Sequence, residues 1–485
     1  MKPLDGLLAS YLDLARHLDP LRHPHEAPTT VRHALGRFDP PWLRAQVAAL
    51  RAIANAIEDL EDVEALDDEV DRTMLLNTIR FDVLRLESLA DATLANPVVP
   101  LGHAVRALRT LMTEHFTGDD EAALRDRVAA LPDLLSTVNA DTRAVAPHLL
   151  AIAGLELETL DDAVDEASER LDEAAVQPAV AAIEACRRWL DDPARVAEPE
   201  PMPESILDAI LSTMVSEPVG HRGTLRILEL RRTGVERLLA AAAADLGADD
   251  GLTIAQALRD EDVAIDDSDD AWADEWRRVG TELDRIGFDV PEAEVPSLAY
   301  GTIDNPWSFT AQAIRDRAAV MLDAARARQL RPVRRLLVAP GLVSGWGRTV
   351  AALLKPSEVA GTPERRVMIS HRALVECAAA EIDLLMLAQA TDIDALQARV
   401  EALTGLDPDA ARKVVLDTAA APFHALSAAL AHEAWQGWYA EEGGDPVAFL
   451  RRVSDGGGLA VPLARWALSA STPGAAAAPV TDGLI

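Results

Sequence analysis

Apolar residues in this chain recur at intervals of three and four along most of its length, and that period leaves little room for anything but packed helices. From Pro41 to Leu60 the series Leu43, Val47, Leu50, Ile53, Ala54 and Ile57 turns one face of a helix toward a core, and Asp39-Pro40-Pro41 supplies its start. A second long pattern runs from about Val70 to Ala92 through Leu75, Leu76, Ile79, Val83, Leu86 and Ala90, with a break near Asn96-Pro97. Further periodic stretches cover roughly 103–116, 120–138, 158–173, 176–191, 223–246, 271–287 and 308–329. Others follow over roughly 365–388, 392–403, 408–440, 446–454 and 461–470, with Pro or Gly clusters between several of them. One stretch alone reads as a strand, Val333-Arg334-Arg335-Leu336-Leu337-Val338, stopped by Pro340-Gly341.

The predicted fold class is therefore all-α, with at most a few short strands. Composition agrees: 49% of the residues are hydrophobic and only 4% aromatic, and the apolar positions are mostly Ala, Leu and Val, which suit close-packed helices. The segment Glu198-Pro199-Glu200-Pro201-Met202-Pro203 is the clearest linker. It divides an expected N-terminal helical region, 1–197, from a C-terminal one, 198–470, and the Ala-rich stretch 471–485 reads as a disordered tail. No repeat of fixed period marks a solenoid.

Charge narrows the partners. Asp and Glu number 80 against 46 Lys and Arg, a formal net charge of -34, which repels phosphate backbones and anionic membranes. Neither nucleic acid nor a membrane is an expected partner. Lysine occurs only at Lys2, Lys355 and Lys413, so arginine carries nearly all the positive charge. A dense carboxylate surface is what a salt-adapted cytoplasm selects, because it keeps a protein hydrated when charge repulsion is screened. Cys186 and Cys377 lie far apart and form neither a metal-type cluster nor a disulfide framework, so both are expected as buried thiols. No apolar core follows Lys2, and no apolar run approaches the length of a bilayer span, so a cytoplasmic location is expected.

Several segments resemble a bacterial family catalogued as domain of unknown function number 885, whose members are helical and zinc-peptidase-like. Near the start, Leu35-Gly36-Arg37-Phe38-Asp39 and the Ala48-Ala49-Leu50-Arg51-Ala52 helix are similar to the family's opening. Asp71-Arg72-Thr73-Met74-Leu75-Leu76, Leu86-Glu87, Asn96-Pro97 and Leu131-Pro132-Asp133-Leu134-Leu135 follow in the family's order. Toward the end, Gly345-Trp346 sits where the family carries Glu-Gly-Trp-Ala-Leu-Tyr-Ala-Glu, and Glu381-Ile382-Asp383 where it has Val-Val-Asp-Thr-Gly-Leu-His. Pro422 with Ala425-Leu426, and Gly458-Leu459-Ala460-Val461-Pro462-Leu463, match its two closing segments.

The resemblance implies a zincin-like helical scaffold, yet the family's defining His-Glu-x-x-Pro-Gly-His-His is missing. In such a helix two imidazoles one turn apart face one metal, and the Glu activates a bound water. Too few residues separate Leu336 from Gly345 to hold that helix. The family's acidic residue before Gly-Trp is Ser344 here, its later His position is Leu387, and its Tyr-Lys is Ala428-Ala429. No metal ligand and no cofactor is expected, and the implied reading is a pseudoenzyme that binds a small molecule or a protein partner. Its inherited cleft would lie near Trp346, Asp383 and His424. The alternative is metal-independent chemistry in that cleft, with Asp383 or His424 as acid or base. A plain structural protein would instead show the cleft filled by side chains.

Other constellations carry less. His432-Glu433 looks like half of a zincin pair, but one turn on stands Gln436, which cannot replace an imidazole. The cluster His17, His23, His25, Glu26 and His33 contains Pro24 and Pro28 and reads as a surface loop. Asp67-Asp68-Glu69-Val70-Asp71 has the form by which terpene synthases hold magnesium diphosphate, but so acidic a chain produces it by chance, and no partner motif follows. Asp266-Asp267-Ser268-Asp269-Asp270 reads as a hydrated loop before a helix. No Gly-x-Gly-x-x-Gly, P-loop or Gly-x-Ser-x-Gly element is present. The tryptophans at 272, 276, 346, 435, 438 and 466 are expected mainly in the core.

Overall fold

The side chains spaced at three and four in the sequence are the ones the fold takes out of water. The computed structural model describes residues 3–18, 32–60, 65–90, 96–112, 118–141, 145–196, 201–260, 268–288, 290–291, 295–296, 306–355, 358–389 and 392–469. Helix α1 (Pro3–Leu18) leads to α2 (Pro40–Glu58), whose first turn is closed by the Asp39 carboxylate accepting the Trp42 amide at 3.0 Å. Leu43, Val47, Leu50, Ala54 and Ile57 line its buried face, as the spacing predicts. Burial of a side chain such as Leu50 or Ile57, both fully enclosed, contributes about 2 kcal/mol. That face packs on α3 (Leu66–Ala90).

Four helices follow: α4 (Val98–Arg109), α5 (Gly118–Asp141), α6 (Pro147–Ser168) and α7 (Glu173–Leu190), with α4 on α6 and α5 on α7. Next come α8 (Glu204–Val215), α9 (His221–Ala244), α10 (Gly251–Asp260), α11 (Ser268–Arg285) and α12 (Pro306–Ala327). The short α13 (Pro332–Leu336) precedes α14 (Leu342–Leu354) and α15 (Pro363–Gln389). The chain closes with α16 (Ile393–Thr404), α17 (Pro408–Ala420), α18 (His424–Glu442), α19 (Pro446–Ser454) and α20 (Val461–Ser469). The all-α class holds. Among the described residues there is no strand, only an isolated parallel bridge between Val145 and Val196.

The linker near Glu198 does not divide the hydrophobic cores. One core joins Leu8, Leu50 and Ile79 to Trp276, Trp346 and Leu463, and a second joins Leu101, Leu131 and Ile183 to Ile382, Leu396 and Val415. Each draws on both of the expected regions. Trp272, Trp276, Trp346, Trp435 and Trp438 are all buried in the first core, with Trp435 stacked on Trp438 at 5.6 Å between ring centroids. Both cysteines are buried free thiols. The expected tail 471–485 and the residues His23, His25, Glu26, Asp266 and Asp267 lie outside the described residues.

Two local expectations are corrected. The stretch expected as a strand, Val333 to Val338, begins as helix α13. Pro332 at its first turn presets a helical φ, and the turn aims Arg334 at α3. There Arg334 Nε donates to Asp71 at 2.8 Å and Nη2 to Asp67 at 2.6 Å, while Arg331 pairs with Asp68 and Asp71. The Asp67-Asp68-Asp71 motif is thus consumed by two arginines, which leaves it no role as a magnesium site. Beyond α13 the chain is extended, and the Ala339 amide donates to the Gly458 carbonyl without a sheet forming.

The second correction concerns 408–440, expected as one helix. It is two, α17 and α18, meeting at 89°. Pro422 and a left-handed Phe423, φ +67°, make the corner. No single described helix is long and apolar enough to cross a membrane, and this bent pair packs against α15.

Candidate functional site

Five helices meet near the cleft expected from the sequence: α15 packs along α9 and against α12 and α18, and α14 lies on α12 and α18. Helix α14 approaches α18 closely because Gly341 and Gly345 face it. A Cβ on Gly345 would stand 2.7 Å from the Ala431 Cβ and 2.9 Å from the Ala428 carbonyl oxygen. That closeness presses the next turn of α14, carrying Arg348 and Thr349, into the junction.

Charge gathers there. Glu376 on α15 is met by Arg315 from α12, by Arg348 Nε from α14 at 3.2 Å and by Arg372 Nε, one turn back on α15, at 3.5 Å. Arg231 from α9 pairs with Glu433 on α18. The side chains of Arg231, Arg315, Arg348 and Glu376 retain only 9%, 13%, 11% and 11% of their surface, whereas Arg372 and Glu433 keep 36% and 28%. The cluster is therefore largely buried, with Arg372 and Glu433 its most exposed members. Four guanidinium groups face two carboxylates. Asp316, beside Arg315, adds a third carboxylate at the margin, where it accepts from Gln312 at 2.8 Å and burial raises its pKa. The balance stays positive.

The surroundings bend every titration. Burial pushes the Glu376 carboxyl up, but Arg315, Arg348, Arg372 and Arg231 outweigh it and hold the pKa at about 2. Burial lowers Arg315 to about 10 despite Glu376, and lowers Arg348 as well. Cys377, next along α15, is raised to about 11 by burial and stays a thiol. His432 is buried, and burial together with the charges of Arg231, Arg348 and Arg315 drives its pKa well below the usual imidazole value. Its Nδ1 lies 2.8 Å from the Thr349 hydroxyl, which donates to the Gly345 carbonyl, so the neutral ring donates Nδ1–H to that oxygen. His432 is thus a neutral structural group, and its neighbour Glu433 is engaged by Arg231; the pair has no zincin role.

The three residues expected in the cleft are not brought together as one pocket. Trp346 is fully buried on the core side of α14, donates Nε1–H to the Ala318 carbonyl at 3.0 Å and lies edge-on to Trp435. Asp383 is fully enclosed, and its two oxygens accept the Phe423 amide at 3.0 Å and the Leu426 amide at 3.1 Å. It caps α18 across the sharp corner, where the left-handed Phe423 needs an anchor. His424 stands at the exposed start of α18; partial burial of its ring lowers its pKa and the charge of Arg348 lowers it further. Around Trp346 and Asp383 the expected cleft is filled by side chains. The arginine cluster reaches solvent through Arg372 and Glu433.

Burial raises the Asp383 pKa to about 7 although backbone amides of Phe423, Leu426 and Ala425 pull it back. Between about pH 4 and pH 7 the folded chain therefore keeps a proton that the unfolded chain has lost, so this group's contribution to stability falls as pH rises through that window and levels off above it. His432 and His424, with lowered pKa values, act in the opposite direction below pH 6.5. The Asp383 slope emerges from a difference: relative to Asp383→Asn, the wild type should lose a few kcal/mol of stability between pH 4 and 7 in urea unfolding. A difference that does not change with pH would show that the carboxylate stays ionised in the fold.

The spacing rules overlooked the arginines because these come from four helices with no motif among them. A signal was present nonetheless. Helix α14 reads Leu-Val-Ser-Gly-Trp-Gly-Arg-Thr-Val-Ala-Ala-Leu-Leu, and Arg348 is its single charge. A lone arginine in so apolar a helix needs a buried partner.

No protein-family model and no curated protein sequence matches the chain. Among solved structures, the fold is similar to a putative lipoprotein from Colwellia psychrerythraea, with a TM-score of 0.73 at 11% identity over 96% of this chain and 98% of that one. It is also similar to a putative lipoprotein of unknown function from Shewanella oneidensis, with a TM-score of 0.68 at 12% identity over 95% and 98% of the two chains. At such identity the likeness is one of fold alone.

Proposed function

We propose that this protein is a binding protein on a zinc-peptidase-like scaffold, a metal-free relative that holds its ligand at the arginine cluster and not in the expected cleft around Trp346 and Asp383, which side chains fill. The observation that carries this reading is the donor set at the junction of α9, α12, α14, α15 and α18. Four arginines line it, and fixed positive charge repels a divalent cation as strongly as it attracts an anion. Among the described residues no three His, Cys, Asp or Glu side chains are placed to share a metal ion, and His17 and His33 are engaged separately, by the Asp13 carbonyl and the Asp126 carboxylate.

A small ligand is favoured over a protein partner because the exposed large apolar side chains Leu155, Val196, Leu230, Leu238, Val295 and Leu330 are spread over several elements. One observation favours the alternative of metal-independent catalysis, the Asp383 pKa of about 7. Against it, both Asp383 oxygens are committed to backbone amides, which leaves them no reach to a substrate. The test is elemental mass spectrometry of untagged protein grown with added zinc. Less than about one zinc per ten chains is expected under weak retention, and near-stoichiometric metal would end the reading.

A further inference from the structure

We infer that the cluster of Arg231, Arg315, Arg348 and Arg372 is a recognition site for a phosphate group, entered from the side where Arg372 and Glu433 reach solvent. The inference rests on the binding reading above and names its ligand class. Three observations carry it.

The first is charge. In a chain of net charge -34, this junction holds four cations against Glu376, Glu433 and, at its margin, Asp316, which leaves a positive surplus for an anion. Burying guanidinium groups without a full set of counter-ions is costly unless a ligand completes it. The second is unspent donors. The Nε–H of Arg315 is buried and meets no hydrogen-bond acceptor, and that of Arg372 has only the long 3.5 Å approach to Glu376, short of hydrogen-bond geometry. The third is direction. The guanidinium groups enter from α9, α12, α14 and α15, so donors arrive from several sides, an arrangement that the oxygens of a tetrahedral oxyanion can use together. His432, kept neutral by its neighbours and fixed by Thr349, adds no competing charge. In the absence of ligand Glu376 is the internal stand-in that holds three of the arginines in place.

The test uses the full chain, titrated calorimetrically with inorganic phosphate and, separately, with malonate, at constant ionic strength and pH 7.5. Phosphate should bind at one saturable site at least about tenfold more tightly than malonate, and Arg372→Gln, a change at the open side, should weaken phosphate about 10- to 100-fold, the loss of one charge-assisted hydrogen bond. A second readout covers the buried base: phosphate should raise the melting temperature of Glu376→Gln more than that of the wild type, because the anion replaces the lost carboxylate. If Glu376→Gln does not fold, the Arg372 comparison decides alone. Malonate equal to phosphate, or a dissociation constant unchanged by Arg372→Gln, would overturn the assignment. With zinc analysis still metal-free, such a failure removes the phosphate and leaves the binding reading standing, whereas stoichiometric zinc removes the reading itself.

Discussion

Replacing Glu376 by Gln should cost about 3–5 kcal/mol of stability, among the largest losses available to a single side chain in this fold. The substitution keeps shape and volume, so packing is not what fails. It removes the one carboxylate that Arg315, Arg348 and Arg372 share, and three like charges are left close together in a buried site. The direction of the Glu376 pKa points the same way: arginines that hold it at about 2 are themselves stabilised by its charge at neutral pH, and that stabilisation is lost progressively as pH falls from about 4.5 to about 2. Arg372→Gln supplies the contrast. Its side chain keeps 36% of its surface, so its removal should cost no more than about 1 kcal/mol. Urea unfolding of the two variants in phosphate-free buffer measures both. Equal, small losses would mean that water enters the cluster and screens it.

Gly341→Ala should be of similar or greater severity, about 3 kcal/mol or more. Gly341 has φ +68° at the start of α14, a conformation that costs an alanine about 1 kcal/mol by itself. A Cβ there would also run into the Ser427 carbonyl and the Ala428 amide nitrogen, the latter at 2.5 Å, and these are backbone atoms of α18 that cannot rotate away. To accept the methyl group, α14 would have to move off α18. Because α14 carries Arg348 and Thr349, the shift should also break the contact of Thr349 with His432 and weaken phosphate binding. A position without such contact is the control: at Gly437, on α18, a Cβ would meet nothing within 4 Å, and Gly437→Ala should stabilise slightly, since alanine is the better helix former. Melting curves for the two variants separate close approach from helix propensity.

Much of the fold was legible because helix burial is written in a local period. The face of α2, its start at Asp39, the break at Asn96-Pro97 and the core tryptophans all follow from which residues are apolar and where Pro and Asp stand. Where local pattern misled, a partner distant in sequence was responsible. Val333 to Val338 has strand-like residues, but α13 forms because Arg331 and Arg334 are drawn to aspartates on α3, more than 250 residues away. The helical period continues without interruption through Pro422, yet α17 and α18 part at that point because Asp383 on α15 captures the amides at the corner.

The candidate site divides along the same line. Sequence alone determined that no His-Glu-x-x-Pro-Gly-His-His run is present, that carboxylates dominate and that arginine carries the positive charge. Of the expected cleft residues, only His424 feels the charge of the cluster, through Arg348; Trp346 and Asp383 proved to be a core residue and a helix cap. Only the tertiary structure decided that Arg231, Arg315, Arg348 and Arg372 converge on Glu376 and Glu433, because five helices far apart in sequence must pack before those charges meet. A period of three or four reports which face of a helix is buried, but the neighbour of that face is set by long-range packing, and a charge acts over distances in space that the chain order does not encode.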